Sequence, residues 1–150
     1  MLKIFRAMME DGYYPKFKNN HILFDMKDDI GVVEYEDGIL SVRIFFSIEE
    51  NLFDLFIKAS NAAMMKTFAV KPVVMDDRKI VMFSCEILCS NLGEFRKFFP
   101  RCISLIEEGL VIHKNEMKNL IEDEDQKRKS IPTTDIRMTI EGIKHNKIIS

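Results

Sequence analysis

Hydrophobic residues recur at two different spacings along this chain, and the changes of spacing divide it into elements. Leu2, Phe5 and Met9 follow helical spacing, and Gly12 stands where it can end that helix. The Tyr13-Tyr14-Pro15 stretch then predicts extended backbone, because the residue before a proline avoids the helical region. The chain is therefore expected to open with a helix that turns onto a sheet.

Three stretches of alternating character then predict a β-meander over residues 21–48. Asp37-Gly38 separates the second stretch from the third and is a strong signal for a two-residue hairpin. The third stretch presents one face with no polar member, formed by Leu40, Val42, Ile44, Phe46 and Ile48. Because successive side chains of a strand point to opposite faces, we expect Phe46 in the core and its neighbour Phe45 on the other face.

Helical spacing returns over residues 47–68, where Ser47 and Glu50 have the spacing of a capping box. The predicted buried side of this helix consists of Phe53, Phe56, Ile57, Ala63, Met64 and Phe68. Two further strands are expected at residues 69–75 and 79–89, and Pro72 favours an edge position for the first. Together these stretches predict a crossover helix followed by a second hairpin.

A long final helix is predicted over residues 92–125, capped by Asn91 and kinked at Pro100. Its apolar stripe is Phe95, Phe99, Cys102, Ile106 and Leu110. Residues 122–130 are dense in charge and are expected to form a linker. Beyond them, apolar residues alternate again over 136–140, which makes this stretch a candidate extra strand.

The element order αβββαββα predicts an α+β fold with a five-stranded antiparallel sheet and three helices on one face. Residues 1–125 are expected to form a single domain, with residues 126–150 as a charged linker and C-terminal tail. The tail carries six basic and two acidic residues and has a net charge of +4, whereas residues 1–125 have a net charge of −6. The two parts are therefore expected to attract each other weakly.

Composition excludes several classes of function. A net charge of −2 argues against a general nucleic-acid binder, and no apolar run is long enough to span a membrane. Three cysteines, an odd number without a secretory signal, indicate reduced thiols and a cytoplasmic location. We expect no cofactor.

No residue pattern in the sequence predicts catalysis or metal binding. His21, His113 and His145 share no ligand spacing, and the thiols of Cys85 and Cys89 fall on the apolar face of a strand. Either Cys85 or Cys102 with His113 is the one conceivable nucleophile pair, but apolar surroundings should raise a thiol pKa and make it inert. We therefore expect structural thiols, no metal site and no enzyme.

The stretch EDGYYPKFKNNHILFDM (residues 10–26), together with residues 51–68, resembles the YbjN-type family, whose fold is like that of type III secretion chaperones. The resemblance covers about residues 1–125. It implies a non-enzymatic protein, either a dimeric chaperone that holds extended partner chains or a regulator. It offers no catalytic residues to carry over.

A sheet with helices on one face leaves its other face open, and here that face is unusually apolar. It is predicted to carry Leu23, Val32, Ile39, Arg43, Phe45, Ile80, Met82 and Leu88, with Glu34, Ser41, Ser84 and Glu86 among them. Apolar patches of this kind mark contact surfaces. Alternatively, the tail strand or a second copy of the chain covers the face for stability alone.

The leading hypothesis is a non-catalytic protein-binding module, chaperone-like or regulatory, that binds a partner polypeptide on the open face and forms a homodimer. The alternative is a regulator that senses a small molecule or nucleotide in a pocket between the sheet and the last helix.

Overall fold

A computed structural model describes residues 1–27, 29–75 and 79–130 of the chain. In chain order its elements are α1 (Leu2–Glu10), β1 (Lys16–Lys18), β2 (His21–Met26), β3 (Asp29–Glu36), β4 (Ile39–Ser47), a short 3-10 helix (Glu50–Leu52), α2 (Phe53–Met64), β5 (Val70–Val74), β6 (Ile80–Leu88) and α3 (Leu92–Ser130). The chain divides into two compact units, Met1–Met117 and Lys118–Ser150.

The sheet is antiparallel throughout, in the order β1-β2-β3-β4-β6-β5, which confirms the α+β class. It has six described strands, so the prediction of five is wrong. The additional strand is β1, which pairs with β2 through a turn at Asn19 and Asn20, both with positive φ (48° and 65°). Asparagine tolerates this conformation, so Asn-Asn works here as a tight hairpin turn.

One face of the sheet and all three helices form a single hydrophobic core. Val33, Leu40, Val42 and Ile44 are fully buried on the sheet side. The helices contribute, among others, Ile4 and Met8 from α1, Phe56 from α2, and Phe95, Phe99 and Ile106 from α3. Phe46 packs against this core and stacks on Phe83, as expected from its face. The helices therefore lie on one side of the sheet.

α1 ends where the sequence predicts, at Gly12 with φ +84°. The Gly12 N–H donates to the Met9 carbonyl and the Tyr13 N–H to the Met8 carbonyl, which is the Schellman pattern of helix termination. The extended backbone expected at Tyr14 is wrong, because its φ is +48°. The proline disfavours the right-handed helical region, and Tyr14 has a positive φ instead of an extended conformation.

The predicted capping box at Ser47 is also wrong. Ser47 is the last residue of β4, and the 3-10 helix precedes α2, whose first residue has no side-chain cap. Because α2 ends at Met64, the chain turns away from the core early, and Met64 and Phe68 are 48% and 84% exposed rather than buried. Ala69, with φ +59°, then turns the backbone into β5.

α3 begins as predicted, since the Asn91 side-chain oxygen accepts from the Glu94 N–H at 2.9 Å. The helix runs through Pro100 and continues to Ser130, so residues 122–130 are helical and not a linker. Acidic residues at 123, 124 and 125 each stand four positions before a basic residue, the orientation that stabilises a helix. Lys127, Arg128 and Lys129 in the last turn complement the helix dipole.

Two glycines allow close packing on the core side. Gly31 in β3 pairs with Phe24 in β2, and a Cβ at residue 31 would lie 2.2 Å from the Phe24 ring. Gly109 in α3 faces Val70 of β5, with 3.0 Å between its would-be Cβ and a Val70 methyl group. Strand β5 lies at the sheet edge, as Pro72 predicted. The candidate strand at 136–140 and the rest of the tail lie outside the described residues.

Candidate binding face of the sheet

The eight residues predicted for the open face lie on the side of the sheet opposite the helices. Their places follow from the strand register: Leu23 pairs with Val32, Val32 with Arg43, Ile39 with Leu88, Phe45 with Met82, and Ile80 with Ser47. This side of the sheet is called the outer face below. The structure places the predicted residues together, and their role in partner binding stays a prediction.

Large apolar side chains on the outer face are exposed in the described structure. Leu88 is 78% exposed, Ile39 45%, Phe45 37% and Ile80 36%. Ile30 (59%) and Val73 (40%) belong to the same face, because Ile30 pairs with Asp25 and Val73 with Met82. Phe45, Met82 and Val73 thus form an apolar row across β4, β6 and β5.

Charged residues occupy the centre of the outer face. The Arg43 guanidinium contacts Glu34 at 2.5 Å on β3 and Glu86 at 3.6 Å on β6, so it bridges the strands on either side of its own. His21 Nδ1 lies 3.0 Å from the other oxygen of Glu34. Glu34 is therefore held by two partners, whereas Glu86 is held loosely by one.

Two serines of this face, Ser41 and Ser84, are buried at 5% and 3% exposure, although their face is open. Ser41 stands in register between Glu34 and Glu86. Its hydroxyl and the Nε of Arg43 are both buried, and neither has a hydrogen-bond partner among the described residues. Buried polar groups without partners are uncommon and costly, so the centre of the face contains unused hydrogen-bonding capacity.

These groups line a cavity of about 510 Å³, called the acidic pocket below. Its lining combines four carboxylates with one guanidinium and consists of Met1, Asn20, His21, Glu34, Tyr35, Glu36, Asp37, Ile39, Ser41, Arg43 and Glu86. The size is in the range of pockets that bind small ligands or side chains. Sequence analysis predicted the apolar part of the face but not this pocket.

Another cavity in the described part of the chain, of about 390 Å³, lies on the helix side. It lies between the end of β4, the 3-10 helix with α2, and α3, and its lining includes Phe46, Phe56, Leu110 and His113. His113 is 4% exposed, and its Nε2 lies 3.1 Å from the Ser60 hydroxyl. Burial lowers the His113 pKa, so the ring is neutral at pH 7.

All three cysteines are free and buried, as expected of structural thiols. A hydrogen bond between Cys85 and Cys102, together with burial, raises the pKa of Cys102. The same hydrogen bond lowers the pKa of Cys85, against our expectation of a raised value for each buried thiol. His113 contacts the rings of Phe56 and Phe83, and its hydrogen-bond partners are the Ser60 hydroxyl and the Phe56 backbone rather than a thiol.

Within residues 1–27, 29–75 and 79–130, no three His, Cys, Asp or Glu side chains converge in a way that could hold a metal ion. None of the described helices combines the length and the apolar character needed to cross a bilayer.

Two exposed apolar residues of the outer face, Ile30 and Val73, were not predicted by the sequence analysis. The residues DDIG at 28–31 predict a turn that includes Ile30, whereas β3 begins at Asp29. A glycine within an alternating pattern also marks close approach of another group, which here is the Phe24 ring. Strand alternation assigned Glu34, Ser41, Arg43 and Glu86 to this face, but their convergence into the acidic pocket depends on the register between β3, β4 and β6.

Comparison with known proteins gives a likeness of fold. No protein-family model matches the chain, and no curated protein matches it in sequence. Among solved structures it is similar to E. coli YbjN, described as a proposed transcription regulator, with a TM-score of 0.64, 12% identity, and coverage of 79% of this chain and 93% of YbjN. It is also similar to an uncharacterised protein of Methanothermobacter thermautotrophicus, with a TM-score of 0.55, 12% identity, and coverage of 79% and 96%. The chain therefore has a YbjN-like fold.

Proposed function

We propose that this protein is a non-catalytic binding module, chaperone-like or regulatory, that holds a partner polypeptide on the outer face of its sheet. The observation that carries the proposal is the exposure of the apolar row together with Ile30 (59%) on β3, and of Leu88 (78%) with Ile39 at the other end of the β4–β6 ladder. Exposed apolar patches of this kind are typical of interaction sites. An extended chain would bury these side chains and add its own hydrogen bonds at a sheet edge.

A homodimer is part of the proposal, with the outer face or its edge as the contact. Light scattering of the full chain should then give about twice the 17.6 kDa of one copy. A mass of one copy at every concentration would remove the dimer and leave a monomeric binding module.

A second candidate function rests on the cavity on the helix side. Its lining is largely apolar, and its polar members are Ser47, Glu49, His113 and Lys114. These features suit a small, mostly apolar molecule with a few polar groups. Binding there would make the protein a ligand-sensing regulator.

Affinity capture with matched variants tests the leading proposal. Phe45→Ala removes an aromatic side chain from the outer face, and Phe68→Ala removes a more exposed one from the α2–β5 connection. Polypeptides retained from the native cell by the tagged wild-type chain should be lost with Phe45→Ala and kept with Phe68→Ala. Equal retention by all three chains would contradict binding on this face.

A further inference from the structure

The acidic pocket contains hydrogen-bonding groups that the described fold does not use. The Ser41 hydroxyl and the Arg43 Nε are both buried, and neither has a hydrogen-bond partner among the described residues. A hydroxyl both donates and accepts, whereas the Nε of a guanidinium only donates. A matching ligand therefore offers at least one donor for Ser41 and one acceptor for Arg43.

Charge defines the ligand further. Glu34, Glu36, Asp37 and Glu86 line the pocket against the single guanidinium of Arg43, with His21 beside Glu34. Carboxylates thus outnumber the fixed cationic side chains, and an opposite charge from a partner would be attracted.

Glu86 is the carboxylate best placed to accept a new cation. Its only ion pair in the described structure is the 3.6 Å contact with Arg43, and its side chain is 40% exposed. Ser41 is its direct neighbour across the β4–β6 ladder. An ammonium or guanidinium group near both would donate to a carboxylate and to a hydroxyl at once.

We propose that the acidic pocket is the subsite for a basic side chain, lysine or arginine, of the polypeptide held on the outer face. A peptide main chain also supplies carbonyl oxygens, which are the acceptors that the Arg43 Nε lacks. The apolar row beside the pocket would take the flanking apolar side chains. The inference rests on the proposed function and adds the chemistry of the partner.

The test uses a library of short extended peptides that alternate threonine and valine, with the central residue varied through all natural amino acids. Binding to the full chain is measured by fluorescence polarisation. Peptides with central lysine or arginine should bind about two- to fivefold more tightly than those with glutamine or glutamate, the range of a partly exposed ion pair.

Glu86→Gln should abolish this preference, and Glu108→Gln is the matched control because it removes an exposed α3 carboxylate outside the pocket. Ser41→Ala is the second variant. Because it deletes an unpartnered hydroxyl, it should leave the melting temperature unchanged or higher while weakening the preference. Melting curves establish that each variant is folded.

The outcomes separate the two proposals. If the peptides bind tightly but with the same affinity whatever the central residue, the basic subsite is wrong and the proposed binding face still holds. A lysine preference that survives both Glu86→Gln and Ser41→Ala would also overturn the subsite, since the pocket would not be its source. Failure of every peptide to bind would overturn the binding face and the subsite together.

Discussion

The two faces of the sheet are built from alternate residues of the same strands, yet they differ in almost every physical respect. Along β4, Leu40, Val42 and Ile44 are completely buried, while Arg43 and Phe45 on the opposite face contact solvent or polar neighbours. The inner face is uniformly apolar. The outer face joins exposed apolar side chains to an ion cluster with unused hydrogen-bonding groups.

Under the proposed function, strand alternation assigns folding to the inner face and binding to the outer face. Burial of the inner face, against three helices, provides the driving force for folding. The outer face contributes little to that core, so its residues are available for a partner. Substitutions on the two faces should therefore affect different measurements.

The largest expected effect is on the inner face. Phe83 is 1% exposed in β6, so Phe83→Ala should lower the free energy of unfolding by about 3–5 kcal/mol by leaving a cavity. Its neighbour Met82 lies on the outer face, and Met82→Ala should cost less than about 1 kcal/mol. Urea denaturation of both variants measures the contrast. Equal losses would mean that the outer face is covered within the chain.

A smaller inner-face effect is expected from added volume. In Gly31→Ala the new methyl group would lie 2.2 Å from the buried Phe24 ring, so the ring must shift, at a cost of about 1–3 kcal/mol. Val32→Ala, one residue along β3 and on the outer face, is the control and should be milder. If thermal melts show Gly31→Ala to be neutral, the close packing of β2 on β3 is wrong.

The buried histidine should make stability depend on pH. Because the His113 pKa is lowered in the folded state, the unfolded chain binds more protons as pH falls below its own pKa of about 6.5. Stability is thus full above that pH and decreases below it, by at most about 1.4 kcal/mol at pH 5.5.

Urea unfolding of wild type at pH 7.5 and 5.5 measures this loss. His113→Gln should reduce the difference between the two pH values, and His21→Gln, on the outer face, should leave the part due to His113 in place. A pH dependence unchanged in His113→Gln would contradict a neutral, buried ring.

The smallest stability effect is expected for Phe45→Ala, because the side chain is 37% exposed. The free energy of unfolding of the isolated chain should change by less than about 1 kcal/mol, as for other surface positions. Association, measured by sedimentation at several concentrations, should weaken instead, since large aromatic side chains anchor interfaces. If Phe45→Ala leaves association unchanged, the dimer contact does not include this part of the outer face.

Most of the fold follows from local patterns in the sequence. Alternation in β2, β4 and β6, the Asp37-Gly38 turn and the Asn91 cap each depend on neighbouring residues, and each is present in the structure. The errors arose where a local signal had two interpretations. Asn19-Asn20 forms a hairpin turn that the sequence analysis did not predict, and Gly31 lies within a strand instead of the predicted turn.

The candidate site was predictable only in part, because part of it depends on contacts between residues that are distant in sequence. Alternation alone assigns Phe45, Met82 and Leu88 to one face. Glu34 and Arg43 meet across the β3–β4 hairpin, but their meeting with Glu86 depends on the pairing of β4 with β6, which is distant in sequence. That the Ser41 hydroxyl has no hydrogen-bond partner among the described residues depends on the side-chain packing around it, which no periodicity encodes.

The central claim is that the outer face binds a polypeptide, and in-cell photo-crosslinking tests it most directly. A benzoylphenylalanine replaces Phe45 in one chain and the more exposed Phe68 in another. The account predicts an adduct to a second polypeptide, either a partner or another copy, from residue 45 and not from residue 68. Three results would contradict it: no adduct from either position, adducts from residue 68 alone, or crosslinks from residue 45 that form only within one molecule.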